Sequence, residues 1–193
     1  MKKKKVLIIV AHPDDETIWA GGLILRNKDK WNTNLVCLCR KYDLDRAPKF
    51  EKVCKLLGVN GHISDLDDSE EGDYKEISSQ DIISRVEPFV KGKYDLVITH
   101  GANGEYGHRR HIEVHGAITE MLNDKSLQSK EVLFFAYTKR GEDCYVDSSA
   151  NKFISLSNLE WDMKKGLITK IYGFRDGSFE EKSSKNEEAF NLR

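Results

Sequence analysis

Residues 5–11, KVLIIVA, form an apolar run broken only by the leading lysine, and HPDDE (12–16) follows at once. A strand with one wet face alternates apolar and polar side chains. A run that stays apolar belongs inside a sheet covered on both faces, which points to a parallel sheet. The six residues VLIIVA after MKKKK are too few for a secretory hydrophobic region or a membrane span. They read as a buried strand with a solubilising start.

Apolar runs and helix-period segments alternate along the rest of the chain. Strands are expected at 33–39, 62–66, 94–100 and 131–138, and helices at 17–27, 46–59, 78–90, 109–123 and 158–174. In the helix at 46–59, Phe50, Val53, Cys54 and Leu57 fall at i, i+3, i+4 and i+7, with Gly58 as the stop. Ser78 and Ser79 are candidate caps. The acidic run 67–74 is expected to be solvated surface. This order predicts βαβ crossovers and an α/β, three-layer Rossmann-like fold, with a mainly parallel sheet and helices on both faces. One domain is expected over residues 1–174, and a charged, partly disordered tail over 175–193. Ligands of such sheets bind beyond the carboxyl ends of the strands. Both HPDDE and HGANGEYGHRRH (100–111) lie at such ends.

The balance of Lys+Arg 31 against Asp+Glu 32 lacks the basic excess of a nucleic-acid binder. The tail after Phe174 lacks an apolar stripe for docking on a membrane. Cys37, Cys39, Cys54 and Cys144 read as core thiols of a reducing compartment, so a cytoplasmic location is expected. The composition is compatible with a homo-oligomer.

The acids after His12 repel one another unless a cation sits among them. Pro13 keeps the chain extended and forces a sharp turn, so Asp14 and Asp15 need not point the same way. One carboxylate can then face a metal and the other a water beside it, a division suited to hydrolysis. Alone, Asp14 and Asp15 would read as helix N-cap residues. Glu16 falls in the first helical turn, where the macrodipole favours an acid. Four of the six histidines, His100, His108, His111 and His115, cluster in the second segment. His108 and His111 are one turn apart, and so are His111 and His115, so the spacing allows either pair. A set of two histidines and one aspartate is an ordinary open zinc site.

AHPDDE after the first strand, with GEYGHRRH after a later one, resembles the LmbE/PIG-L family of zinc-dependent de-N-acetylases. The resemblance runs from residue 6 to about residue 138. It implies that His12, Asp15 and His111 ligate the metal and that Asp14 is the general base for a zinc-bound water. It implies further that His108 stabilises the oxyanion or protonates the leaving amine, that Tyr106 hydrogen-bonds the tetrahedral intermediate, and that Arg46 contacts substrate. Family members often have His-Pro-Asp-His where this chain has His108-Arg109-Arg110-His111. The implied activity is removal of an N-acetyl group from an N-acetylglucosamine-type sugar conjugate, a small-molecule substrate. The implied cofactor is Zn²⁺, although a site with two histidines and an aspartate also accepts Fe²⁺ or Co²⁺. The alternatives are an amidase for a larger sugar or thiol conjugate and a non-catalytic metal-binding protein of the same fold. A dinucleotide-binding module is disfavoured, since its first βα turn needs Gly-x-Gly-x-x-Gly and three acids would repel a pyrophosphate.

Overall fold

β1 (Lys4–Val10) lies between two parallel partners, β2 (Trp31–Cys39) and β4 (Tyr94–Thr99), and is buried from Val6 onward. Val6, Ile8 and Val10 enter the core on one face and Leu7, Ile9 and Ala11 the core on the other, as a strand apolar on both faces requires. The computed structural model describes residues 2–68 and 75–193. The first core is closed by α1 (Asp15–Asn27) and α2 (Arg46–Leu57), the latter through Phe50, Val53, Cys54 and Leu57. Gly58 ends α2 in the left-handed region (φ 70°), the usual role of glycine there. The second core is closed by α3 (Ser79–Val86), capped by Ser78, and by α5 (Arg109–Asn123), which supplies Val114, Ala117, Ile118 and Met121. These are the two helical layers.

With β3 (Asn60–Leu66), β5 (Ser129–Phe135), β8 (Lys152–Ser155) and β9 (Glu187–Leu192), seven strands among the described residues form one sheet in the order β3-β2-β1-β4-β5-β9-β8. The first five are mutually parallel, while β9 runs antiparallel to both β5 and β8. Chain order reverses between β1 and β4. A crevice opens at such a reversal beyond the carboxyl ends of the strands, and both histidine-bearing segments leave the sheet there. No helix among the described residues is long and apolar enough to cross a membrane.

Three expectations are corrected. The strand expected at 131–138 breaks at Ala136. Its second part becomes β6 (Tyr137–Arg140), which leaves the main sheet to pair with β7 (Asp143–Val146). Ala136 itself is spanned from both sides, its N–H donating to Ala189 and its carbonyl accepting from Asp147. The helix expected at 158–174 is α6 (Asn158–Gly166) followed by a π-helical turn, Leu167–Tyr172, ended by Gly173 at φ 82°.

The segment after Phe174, expected to be a partly disordered tail, carries α7 (Phe179–Ser183) and β9. Glu188 in β9 is fully buried. Its two carboxylate oxygens accept the N–H groups of Gly22 and Leu23 in α1, each at 2.8 Å, and Oε1 also pairs with the buried Lys164 ammonium at 2.8 Å. Gly22 also lets Leu156 pack close to α1, because a Cβ there would stand 2.3 Å from a methyl of Leu156.

Candidate metal centre

His12 leaves β1 beside the end of β4, and the preceding Ala11 N–H donates to His100 Nε2 at 2.9 Å. Asp14 then takes φ 124°, ψ −29°. Such a conformation costs a residue with a Cβ about 1–3 kcal/mol. The turn opens α1, with the Asp14 carbonyl accepting from Thr17 and Ile18 at 2.8 and 2.9 Å. It also separates the two aspartates. Asp15 goes inward, 3 % exposed, while Asp14 faces the cleft. The Asp14 side chain caps no helical N–H.

Three ligand-type atoms converge from two segments of the chain. His12 Nδ1 lies 3.2 Å from Asp15 Oδ2 and 3.1 Å from His111 Nε2, and those two lie 3.3 Å apart. The outward nitrogens are engaged elsewhere. His12 Nε2 meets Asp68 Oδ1 at 2.9 Å, and His111 Nδ1 meets Glu105 Oε2 at 2.5 Å. With those nitrogens donating to carboxylates, the inward ones present lone pairs to each other and to Asp15. That arrangement calls for a cation, and a second carboxylate behind each histidine is how metal-binding imidazoles are oriented. Trp19 Nε1–H donates to Asp15 Oδ1 at 3.0 Å.

Electrostatics agree. Burial opposes charge on His12, but the hydrogen bonds to Asp15 and Asp68 outweigh it and raise its pKa to about 9. For His111, burial is again overcome, by Asp15 and Glu105, and the pKa rises to about 10. Burial alone would raise Asp15, yet His111 and His100 hold it well below the usual carboxylate range. Positive charge is therefore wanted at the point where these groups meet, and a divalent cation can take the place of the imidazole protons.

His108 and Tyr106 flank the triad. His108 precedes α5, its ring 4.7 Å from that of His12 and 4.5 Å from that of His111, with Nδ1 buried and lacking a hydrogen-bond partner among the described residues. Burial and the charges of His111 and His12 lower its pKa to about 3. Tyr106 sits in a kinked turn, α4 (Gly104–Gly107), against Phe179 of α7 at 4.9 Å. Arg46, at the start of α2, stacks 4.2 Å over Phe174 and reaches Asp14 Oδ2 with Nη1 at 3.3 Å. Burial and the nearby Asp15 charge raise the Asp14 pKa well above the ordinary value, with Arg46 opposing. His12, Asp14, Asp15, Arg40, Arg46, Tyr106, His108, Phe179 and Glu180 are among the residues lining one open cleft of about 150 Å³. Sites that engulf a drug-sized ligand measure roughly 300–1,000 Å³, so this cleft suits the reacting end of a substrate.

All seven residues singled out in the sequence therefore meet at one place. His115 does not join them: its Nδ1 bonds to the His100 carbonyl at 2.9 Å and its ring lies against Phe134. Of the two pairs the spacing allowed, 108/111 is the one at the centre. Arg110 is buried and pairs with Glu113 at 2.5 Å. Sequence reasoning missed Asp68, Glu105 and Trp19, and named His100 without giving it a role. Asp68 fell in the acidic run expected to be solvated surface. Its carboxylate is 8 % exposed, between His12 and Arg40, while residues 69–74 of that run lie outside the described residues. Its signal was its place just past the end of β3, two strands from His12.

A family model described as PIG-L, GlcNAc-PI de-N-acetylase, matches residues 7–122. The chain belongs to this family. The matched region runs from within β1 into α5 and includes His12, Asp15 and His111. A 1D-myo-inositol 2-acetamido-2-deoxy-alpha-D-glucopyranoside deacetylase of Corynebacterium diphtheriae is 31% identical over 145 residues, covering 58% of this chain and 50% of that protein. The chain spans about half the length of the first curated relatives it matches. The fold is shared with solved structures over nearly all of the chain. An N,N'-diacetylchitobiose deacetylase from Pyrococcus horikoshii superposes with TM-score 0.71 at 19% identity, over 98% of this chain and 84% of that one. A 4-carboxy-2-hydroxymuconate hydratase from Pseudomonas putida superposes with TM-score 0.66 at 18% identity, over 94% and 82%. One fold thus carries two reaction classes, and the activity has to be argued from the site.

Proposed function

We propose that this chain is a metal-dependent amide hydrolase that removes the acetyl group from an N-acetylglucosamine-type sugar conjugate. One observation carries the reading: next to a triad fit for a cation, the neighbouring Asp14 carboxylate is held out of the triad and turned into the cleft, with its pKa raised. His12, Asp15 and His111 would hold the cation, zinc foremost. When bound, it supplies a Lewis acid for the amide carbonyl and makes a neighbouring water more acidic.

The remaining work falls to side chains. Asp14 takes the proton of the attacking water, and its raised pKa makes it a stronger base than a solvated carboxylate. Arg46 fixes the orientation of that carboxylate and offers a cation at the cleft wall. His108, neutral at physiological pH, donates a hydrogen bond to the oxyanion rather than a proton to the amine, and Tyr106 is its companion. The proton held by Asp14 then passes to the departing nitrogen, giving acetate and a free amine. The family membership and the names of the deacetylase relatives support the acetyl group and the sugar class.

The test is acetate release from N-acetylglucosamine conjugates by zinc-loaded protein, wild type against Asp14→Asn. Turnover in the wild type should fall about 10²–10⁴-fold in the variant, with zinc content unchanged. Full activity in Asp14→Asn would remove Asp14 from the role of base. Zinc bound without turnover of acetyl or larger acyl conjugates would leave a non-catalytic metal-binding protein.

A further inference from the structure

We propose that Glu16, held by Tyr172, is a positioning residue that sets the Asp14 turn and so aims the Asp14 carboxylate into the cleft; this rests on the reading of Asp14 as base. An ordinary aspartate at the start of a helix folds its side chain back onto the first helical N–H groups. Asp14 does not, and its carboxylate goes to Arg46 and the cleft instead. The backbone that allows this is the strained one, φ 124°.

Glu16 restrains it from within the helix. Its Oε2 accepts the Asp14 N–H at 3.1 Å, and its Oε1 accepts the Thr17 hydroxyl at 2.5 Å and the Tyr172 hydroxyl at 2.8 Å. A first-turn acid that serves the helix dipole belongs in solvent. Glu16 is instead fully buried, with both oxygens engaged and one of them turned back to the residue that opens the helix. Tyr172 is itself 2 % exposed and comes from the end of the π-helical turn, beyond the region matched to the family. The geometry is a chain of contacts from Tyr172 through Glu16 to the Asp14 backbone, and none of the three bonds involves the metal triad. Glu16 therefore acts on the direction of the Asp14 side chain, not on metal binding.

The experiment compares zinc-loaded wild type, Glu16→Ala, Glu16→Gln and Tyr172→Phe by steady-state acetate release, zinc content per chain and crystal structure. A misplacement of order 1 Å costs about 10²-fold in rate, so Glu16→Ala should lose about that in kcat with KM and zinc content unchanged. Glu16→Gln keeps an oxygen for the Asp14 N–H and should stay within about tenfold of wild type, and Tyr172→Phe should lose about tenfold, near the 1.36 kcal/mol of one hydrogen bond. In the Glu16→Ala crystal structure, φ of Asp14 should return to negative values with the carboxylate out of the cleft. Retention of φ near 124° overturns the proposal whatever the turnover. So does unchanged kcat, or a loss of zinc in Glu16→Ala and Tyr172→Phe that matches the loss of rate. A wild type without deacetylase activity, with Asp14 relaxed in Glu16→Ala, would keep Glu16 as the positioning residue and refute the hydrolase reading alone.

Discussion

The Trp19 indole N–H donates to Asp15 Oδ1 at 3.0 Å and so leaves Oδ2 as the oxygen that faces His12 and His111. A buried tryptophan one turn along the helix thus decides which oxygen of the aspartate is offered to a cation. Trp19→Phe keeps an aromatic ring, smaller than the indole, and removes the donor. Zinc affinity should fall about 10–100-fold, the usual loss when an outer partner of a metal ligand is removed. Competition with a chromogenic chelator measures it, and an unchanged Kd would show that the indole only fills space.

His111 and His115 lie on the same helix one turn apart, yet only the first reaches the centre. His111→Ala should abolish stoichiometric zinc binding, while His115→Ala should keep it. Metal analysis of the two purified variants decides, and loss of zinc in His115→Ala alone would relocate the site.

Zinc binding should release at least one proton per site at pH 7.5. In the metal-free chain the pKa values of His12 and His111 are raised to about 9 and about 10, so the pair, its inward nitrogens 3.1 Å apart, carries proton charge at neutral pH that must be lost on coordination. Affinity therefore rises with pH until those values are passed. The stability of the metal-free chain runs the other way. Both pKa values are raised above the unfolded value of about 6.5, so their contribution is complete below that pH and is lost as pH climbs through 9 and 10. Calorimetry in buffers of different ionisation enthalpy counts the protons. A count of zero would mean the imidazoles are already neutral.

Gly101 begins the loop that carries Glu105, and its N–H donates to Glu105 Oε1 at 2.8 Å. A Cβ there would stand 2.2 Å from the backbone oxygen of Phe135, an atom that no side-chain rotation can move. Gly101→Ala should cost about 1–3 kcal/mol, or a fall of several degrees in Tm at about 2–4 °C per kcal/mol for a chain of this size. It should weaken zinc binding as well, because Glu105 orients His111. A thermal melt with a parallel zinc titration reads both, and a Tm within a degree of wild type would show that the loop can move aside.

How much of this was legible depended on distance along the chain. β1 announced itself by being apolar on both faces, and the reversal of strand order brings its end next to that of β4. Asp14, Asp15, His108 and His111 sit in two short segments whose spacing could be read directly. Asp68 could not, because it approaches His12 across two strands from an acidic run that looks like ordinary surface. Glu105 was written inside the second segment, but only the kink at α4 turns it onto both His100 and His111. β9 was hidden for a different reason. Glu187-Glu188 reads as solvent-seeking sequence, and the N–H groups of α1 and the Lys164 ammonium that make a buried Glu188 tolerable lie about 165 and 24 residues away.

The strand order also dictates when the molecule can be finished. Among the described residues β8 pairs with β9 alone, and the Lys164 ammonium bonds only to the Lys185 carbonyl and Glu188. Synthesis delivers β8 and Lys164 first, so residues 152–155 have no strand to pair with and the lysine has no carboxylate until residues 185–192 emerge. An unpaired buried charge is strongly destabilising, by about 3–5 kcal/mol. Chains that lack residues 185–192 are thus held out of the native core, and β9 acts as the latch that closes it.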